Sequence, residues 1–178
     1  MGYLVRKLIK RTKLDDIVTE SNLENISADI PTTEFRTTDS NLSTWKIDKL
    51  EELDSAVLAI AVTSSELSRL DVIVIDEEIL KEHELIYKQT YAGIDLIIPE
   101  LQNIHYDIMN INYSKLKDCM DVYKKIFQKD VDGNMYIKRY SIGKIKEMLL
   151  DALKQDKIDE TKANRKMIET LSKLKENL

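Results

Sequence analysis

Hydrophobic and polar positions between residues 42 and 76 follow the pattern of a strand, a helix and a second strand. The segment Leu42–Ile47 (LSTWKI) alternates like a half-buried strand, whereas residues 71–76 (DVIVID) form an almost continuous apolar run, typical of a strand covered on both faces. Between them, apolar residues spaced three and four apart predict a helix over 49–64: Leu50, Leu53, Val57, Ile60 and Ala61. We therefore expect a βαβ crossover, in which two parallel strands of one sheet are joined by a helix packed on one sheet face.

Shorter segments on either side of this unit predict further strands and helices. Strand-like content is found at residues 3–6 (YLVR), 85–89 (LIYKQ) and 135–140 (MYIKRY), and residues 77–83 (EEILKEH) indicate a short helix. Ser141 is placed to cap a helix that follows the last of these strands. The chain is therefore expected to be a mixed α/β protein, with a small sheet that contains the βαβ unit, flanking helices and a C-terminal helical segment.

A further helix is expected to begin at Pro99, because proline is favoured in the first turn of a helix and apolar residues recur at helical spacing after it. The residues that would share its apolar face are Leu101, Ile104, Ile108 and Ile111. A second apolar set either continues this helix beyond a kink at 110–112 or belongs to the next helix. Its members are Tyr113, Leu116, Met120, Tyr123 and Phe127.

The remaining pattern divides the chain into two parts. Residues 1–140 are expected to form the mixed α/β domain, which includes an acidic, loop-rich segment at 12–41, and residues 141–178 are expected to form C-terminal helices. The last helix has a narrow apolar seam of Met167, Leu171, Leu174 and Leu178. Such a seam can dock on its own domain or on another chain.

Composition restricts the class of protein. With 178 residues, of which 43% are hydrophobic, the chain is long enough to bury a substantial core. Its longest apolar run, residues 56–62, is far shorter than the roughly 20 residues of a membrane span, and its basic N-terminus is not followed by an apolar stretch of signal-peptide length. The single cysteine, Cys119, fits a reducing compartment. We expect no membrane association, a cytoplasmic location and a core position for Cys119.

Charge is distributed unevenly along the chain. Residues 1–13 carry five basic groups and no acid, residues 14–100 carry six basic and twenty acidic groups, and residues 101–178 carry sixteen basic and twelve acidic groups. A strongly acidic centre between basic ends favours a basic partner protein or contacts between copies of the chain. The other interpretation is that these charges form ordinary solvated faces. Nucleic acid is disfavoured as a partner, because the acidic centre would repel its phosphates.

Acidic residues occur where the second predicted strand ends, at Asp76, Glu77 and Glu78. Ligands of open α/β sheets bind near the carboxyl ends of strands, so these residues are candidates for a metal site or a catalytic acid. A structural interpretation explains the same residues. Asp76 can cap the helix that follows, and acids in the first turn of a helix complement its dipole.

His105 and Asp107 could join those acids in a metal site, because imidazole and carboxylate groups bind several divalent ions. If both residues lie on the helix predicted after Pro99, however, they point in different directions, since residues two apart do not share a helix face. His105 would then be a partly buried histidine at the edge of the apolar stripe. No serine in a nucleophile-elbow context accompanies the two histidines of the chain, so triad catalysis is not indicated.

Two phosphate or metal motifs can be set aside. The stretch DVDGN begins like a calcium loop, but an EF-hand needs glycine at its sixth position and glutamate at its twelfth, where this chain has Gly133 at the fourth and Ser141 at the twelfth. A turn between a helix and a strand explains DVDGN better. The four glycines are too widely separated for a phosphate-binding loop. We therefore predict no cofactor.

These patterns favour a non-catalytic protein-interaction domain, such as an accessory subunit or an inhibitor of the immunity or antitoxin type, whose acidic centre binds a basic partner. The alternative is a metal-dependent hydrolase or nuclease that uses Asp76, Glu77, and His105 or Asp107. The glutamates at 77 and 78 are expected on a solvated face. The residues predicted to bind a partner are Glu51, Glu52, Asp76, Glu77, Glu78, Glu82 and the four residues of the C-terminal seam.

Overall fold

The computed structural model describes residues 2–9, 26–64, 66–130 and 135–176. Residues 12–25 of the loop-rich segment predicted at 12–41 therefore lie outside the described residues. The centre of the fold is a six-stranded sheet in which every neighbouring pair is antiparallel, in the order β4–β5–β2–β1–β3–β6. The predicted mixed α/β fold is confirmed. The strands are β1 (Tyr3–Leu8), β2 (Leu42–Ile47), β3 (Leu70–Asp76), β4 (Tyr87–Gln89), β5 (His105–Ile108) and β6 (Ile137–Tyr140).

Helices flank this sheet and follow it at the C-terminal end. The α-helices are α1 (Asp29–Glu34), α2 (Leu53–Val62), α3 (Glu77–Glu82), α4 (Tyr113–Lys129), α5 (Ile142–Lys154) and α6 (Arg165–Lys175). Short 3-10 helices are found at Leu50–Glu52, Pro99–Ile104 and Glu160–Lys162. Within the described residues, no helix combines the length and the apolar character that crossing a membrane requires. The helices predicted at 77–83 and after Ser141 are confirmed, and the apolar set from Tyr113 to Phe127 belongs to a helix of its own.

The predicted crossover is present, but another strand lies inside it. Helix α2 joins β2 to β3, and both strands pair antiparallel with β1, where Tyr3 lies opposite Ile47 on one side and Asp76 on the other. Strands β2 and β3 therefore run in the same direction in one sheet, as expected, without being hydrogen-bonded to each other. Both end at the same edge of the sheet, beside the start of β1.

The prediction of one helix over residues 99–111 is wrong. Pro99 does open a helix, but it is a 3-10 helix that ends at Ile104, and the chain continues as strand β5 between β2 and β4. Pairing on both sides, with Leu42 and Tyr87 each opposite Ile108, satisfies the backbone of this segment. The helical spacing of its apolar residues is a local signal, and tertiary pairing overrides it.

Both faces of the sheet are covered. Leu4 and Val5 are consecutive in β1 and therefore point to opposite faces, yet both are fully buried. Helix α2 contacts the three central strands and helix α5, whereas Cys119 and Tyr123 of α4 meet Arg6 on the other face, around a void of about 10 Å³. Burial raises the pKa of the Cys119 thiol to about 12. Cys119 is 3% exposed, which confirms it as a core residue.

The C-terminal seam docks on its own chain. Helix α6 packs against α5, with Met167 at 1% and Leu171 at 0% exposure and Leu174 partly buried against the same core. These residues were predicted to bind a partner, and that prediction is wrong for Met167 and Leu171, because their side chains are already buried. Leu178 lies outside the described residues.

Truncating the seam should therefore destabilise the protein itself. We expect Leu171→Ala to lower the free energy of unfolding by about 2–5 kcal/mol, because it leaves a cavity in the core. Ile168→Ala on the same helix is the matched control, since Ile168 is 45% exposed, and should change stability by less than about 0.5 kcal/mol. Denaturant unfolding of both variants measures the difference. Equal, small effects would show that α6 is not docked.

Candidate functional site

Asp76, at the end of β3, has a structural role. Its side chain is 2% exposed, and its Oδ1 accepts a hydrogen bond from the backbone N–H of Glu78 at 3.0 Å, which caps helix α3. The other carboxylate oxygen lies 3.5 Å from Lys129 Nζ. The interpretation of Asp76 as a helix cap is therefore confirmed, and this carboxylate faces protein donors instead of an open site.

Glu77 is buried, so the expectation that it lies on a solvated face is wrong. Its Oε2 accepts a hydrogen bond from the backbone N–H of Gly2 at 3.0 Å. Its Oε1 accepts a hydrogen bond from the Tyr87 hydroxyl at 2.7 Å and lies 2.9 Å from Lys46 Nζ. A Cβ atom at position 2 would lie 3.0 Å from the Glu77 carboxylate, so a larger residue there would displace this side chain.

The charges of this cluster are matched. Burial raises the pKa of Glu77, but hydrogen bonds from Lys46, Tyr87 and Gly2 and the charge of Lys46 outweigh it, so the pKa is lowered overall. The hydrogen bond to Glu77 raises the pKa of Lys46, whose ammonium group also lies 5.8 Å and 5.4 Å from the ring centres of Tyr87 and Tyr106. Lys46 and Glu77 therefore form a closed ion pair, and Glu77 is not available to a partner.

The other acids predicted to bind a partner are exposed. Two of them also stabilise the fold: Glu52 Oε2 accepts a hydrogen bond from the Asp48 N–H at 2.9 Å, and Glu82 pairs with Lys125 at 2.8 Å. Glu51 and Glu78 make no ion pair within the described part of the chain. Their segments both leave the sheet at the edge where β2 and β3 end.

His105 and Asp107 share one face, contrary to the expectation based on a helix. They lie two apart in strand β5, where alternate side chains project on the same side. The Thr90 hydroxyl donates a hydrogen bond to Asp107 Oδ2 at 2.9 Å, and its oxygen lies 3.0 Å from His105 Nδ1. Because that hydroxyl hydrogen is used, the Nδ1–H of His105 is the donor in the second bond.

His105 lies in an enclosed position. Its exposed fraction is 2%, and its ring packs edge-on against Trp45, with ring centres 4.7 Å apart. Burial lowers the pKa of His105, although Asp107 and the Thr90 carbonyl oppose the shift. Its Nε2 lies 3.9 Å from Asp107 Oδ1. This arrangement orients a neutral imidazole between a strand and an aromatic ring, and it leaves little access for a substrate.

The four residues of the alternative metal site do not converge. Strand alternation places Lys46 and Tyr106, which surround the Glu77 cluster, on one face of the sheet, and Trp45, His105 and Asp107 on the opposite face. The sheet therefore separates Glu77 from the histidine. Across the described ranges, no group of three or more His, Cys, Asp or Glu residues is arranged to hold a metal ion.

Asp130, the first residue of the DVDGN stretch, binds backbone donors. Its Oδ1 accepts hydrogen bonds from the N–H groups of Met135 at 2.8 Å and Tyr136 at 3.0 Å, and its Oδ2 accepts one from Ile137 at 3.2 Å. The carboxylate thus joins the end of α4 to the start of β6. Residues 131–134 lie outside the described residues. For Asp130, the turn interpretation is supported over the calcium-loop interpretation.

Some of the unevenly distributed charges form ion pairs with each other within the chain. Acids of the central segment pair with bases of the C-terminal segment, as in Asp71 with Arg139 at 2.7 Å and Glu100 with Lys157 at 3.0 Å. Three further pairs of this kind are Asp76–Lys129, Glu82–Lys125 and Glu66–Lys166. The basic C-terminal segment therefore neutralises some of the acidic centre, which explains some of the uneven charge without a partner.

A groove that sequence patterns did not predict lies between α2, α5 and the 3-10 helix Pro99–Ile104. It has a volume of about 260 Å³. Carboxylates of Asp54, Glu100 and Asp151 line it, and Asp54 Oδ1 accepts a hydrogen bond from the Tyr140 hydroxyl at 3.0 Å. No local signal could reveal this groove, because its walls come from three distant segments. The apolar lining residues are Leu58, Ile98, Leu101, Met148 and Ala152.

No protein-family model, curated protein or solved structure matches this chain. Function is therefore inferred from the side chains described above.

Two replacements of Asp76 distinguish the contribution of its helix-capping hydrogen bond to stability from the contribution of its negative charge. Asp76→Asn keeps a side-chain acceptor and should leave the free energy of unfolding within about 0.5 kcal/mol of the parent, whereas Asp76→Ala should cost about 1 kcal/mol. Denaturant unfolding of the two variants at neutral pH measures both values. Equal losses in the two variants would mean that the negative charge at position 76, instead of the cap, stabilises the fold.

The Glu77 cluster should make stability depend on pH. Because the folded pKa of Glu77 lies below its ordinary value of 4.5, its charge stabilises the fold above about pH 4.5, and this contribution is lost as pH falls through the folded pKa. We expect Glu77→Gln to lower stability by about 1–3 kcal/mol at pH 7 and by progressively less in acid. Glu78→Gln is the exposed control. Unfolding curves of Glu77→Gln and the parent that stay equally separated at every pH would contradict this assignment.

Proposed function

We propose that this chain is a non-catalytic protein-interaction domain, an accessory subunit or an inhibitor of the immunity or antitoxin type, which binds a basic partner protein. The observation that carries the proposal is the difference between the acids at the sheet edge. Asp76 and Glu77 are buried and bound to protein donors, whereas Glu51 and Glu78 are exposed and make no ion pair within the described residues. Unpaired carboxylates on a surface can attract a basic partner.

Electrostatics supports this choice of partner. The formal net charge is −5, and residues 14–100 carry twenty acidic against six basic groups. Internal ion pairs neutralise several of these acids, but the exposed carboxylates that remain give the surface a negative field. Such a field steers a positively charged protein toward the complex and accelerates association. Contacts between copies of the chain, whose N-terminal segment is basic, stay a second prediction about the partner.

The alternative of a metal-dependent hydrolase or nuclease has less support. Glu77 is engaged by Lys46 and Tyr87, and Asp76 caps α3. His105 and Asp107 lie on the opposite face of the sheet. A shared metal would therefore require the sheet or the Glu77 cluster to rearrange.

Association with the partner should be electrostatically steered. The partner is isolated by affinity capture from the native host, and its binding kinetics are measured at about 0.05 M and 0.3 M salt, since screening shortens the range of surface charges. We expect the association rate to fall at the higher salt. The double variant Glu51→Lys with Glu78→Lys should slow association several-fold with little change in dissociation.

A matched control distinguishes local charge from net charge. The variant Glu169→Lys with Glu176→Lys makes the same change in net charge on helix α6 and at the residue that follows it, where both side chains are exposed, and should affect association much less. An association rate that is insensitive to salt and to the Glu51 and Glu78 reversals would show that this acidic edge is an ordinary solvated surface. The proposed function would then be wrong.

A further inference from the structure

We propose that the groove between α2, α5 and the 3-10 helix Pro99–Ile104 is a binding pocket for an arginine side chain of the basic partner. This inference rests on the proposed function, because the partner supplies the arginine, and it names a contact point other than the exposed acids Glu51 and Glu78.

The size of the groove suits one long side chain. Its volume of about 260 Å³ is below the range of roughly 300–1,000 Å³ that is typical of pockets for drug-sized ligands. A whole helix or a nucleotide would not be enclosed. A single anchoring residue of a partner protein is the kind of group that such pockets receive, and arginine is among the residues enriched at these positions.

The chemistry of the groove fits both ends of arginine. The aliphatic stem of an arginine can lie along apolar surface while its charged group stays at the rim, and here Leu58, Leu101 and Met148 provide that surface. Carboxylates of Asp54 and Asp151 stand on the walls contributed by α2 and α5. A planar guanidinium group can bind a carboxylate through two parallel hydrogen bonds, which an ammonium group cannot do.

The available acceptor atoms lie on Asp54 and Asp151. Glu100 is paired with Lys157 at 3.0 Å, which accounts for one charge of each sign. Asp54 uses Oδ1 to accept the Tyr140 hydrogen bond, and its Oδ2 makes no hydrogen bond to the described residues. The Asp151 carboxylate likewise makes no ion pair within the described ranges. The groove therefore has a net negative charge that a basic side chain complements.

The walls are held in place before any partner binds. Helix α2 is anchored by Ala56 and Val57, and helix α5 by Ile145 and Leu149, all of which are fully buried. The hydrogen bond from Tyr140 orients Asp54. A preformed pocket binds with a smaller loss of conformational entropy than one that must be ordered on binding.

Nuclear magnetic resonance tests the pocket without the partner. The ¹⁵N-labelled protein is titrated with N-acetyl-arginine amide up to tens of millimolar, with N-acetyl-lysine amide as the chemical control. We expect saturable shifts for backbone amides of groove residues, including Ser55, Leu58 and Leu101, and weaker binding of the lysine probe. In the variant Asp54→Asn with Asp151→Asn, affinity for the arginine probe should fall about fivefold, because two charge-assisted contacts are lost.

Controls keep the result interpretable. Asparagine at position 54 retains an acceptor for the Tyr140 hydroxyl, so the double variant should keep the thermal midpoint of the parent. The variant Glu169→Gln with Glu176→Gln makes the same change in net charge on α6 and at the residue that follows it, outside the groove, and should bind the arginine probe like the parent. Absence of saturable shifts, equal binding of the two probes, or equal binding by the double variant would each overturn the proposal.

Kinetics with the captured partner separate this inference from the proposed function. We expect Asp54→Asn with Asp151→Asn to accelerate dissociation several-fold, since an anchor inserted in a pocket acts mainly on dissociation. If association depends on salt and on Glu51 and Glu78 while this variant dissociates like the parent, the groove proposal is wrong and the proposed function stands. If the arginine probe binds in the groove but association is insensitive to salt, the groove is supported and the proposed function is wrong.

Discussion

The pairing of β1 with both β2 and β3 is the constraint on which the rest of the structure depends. This strand lies between the two strands that α2 connects, and its residues Leu4 and Val5 are fully buried on opposite faces. The N–H and C=O groups of Gly2 both bond to Glu77, and the Arg6 guanidinium donates hydrogen bonds to the carbonyl oxygens of Ser43 and Glu34. A segment from one end of the chain thus joins two distant segments.

Carboxylates buried near the sheet need protein donors to replace the water that they lose on folding. A buried charge is tolerated only when it is paired and hydrogen-bonded, and Glu77 meets that condition through Lys46, Tyr87 and Gly2. Asp130 meets it through three backbone N–H groups. These carboxylates, which the sequence offered as candidates for a metal or catalytic site, therefore have hydrogen-bond donors within the fold. Among the exposed acids, Glu51 and Glu78 make no ion pair within the described residues, so they can act toward another molecule.

Two surfaces follow from the same topology. Because β2 and β3 end at one edge of the sheet, the segments that carry Glu51 and Glu78 emerge there together. Because α2 and α5 pack on each other, a groove forms where the Pro99–Ile104 helix meets them. The first surface presents exposed carboxylates, which suits steering of a partner. The second combines carboxylates with apolar walls, which suits an anchoring side chain.

Local sequence determined the elements whose signals are local, and tertiary structure decided how distant segments meet. The apolar spacing of α2, the buried run of β3 and the cap at Asp76 depend on residues a few positions apart, so they could be predicted. The strand at His105–Ile108 could not, because its helical spacing competes with hydrogen bonds to β2 and β4 that only the assembled sheet supplies. The burial of Glu77 and of Leu171 could not be predicted from the sequence for the same reason. A periodic pattern shows which side of an element is apolar, but the segment that covers that side comes from elsewhere in the chain.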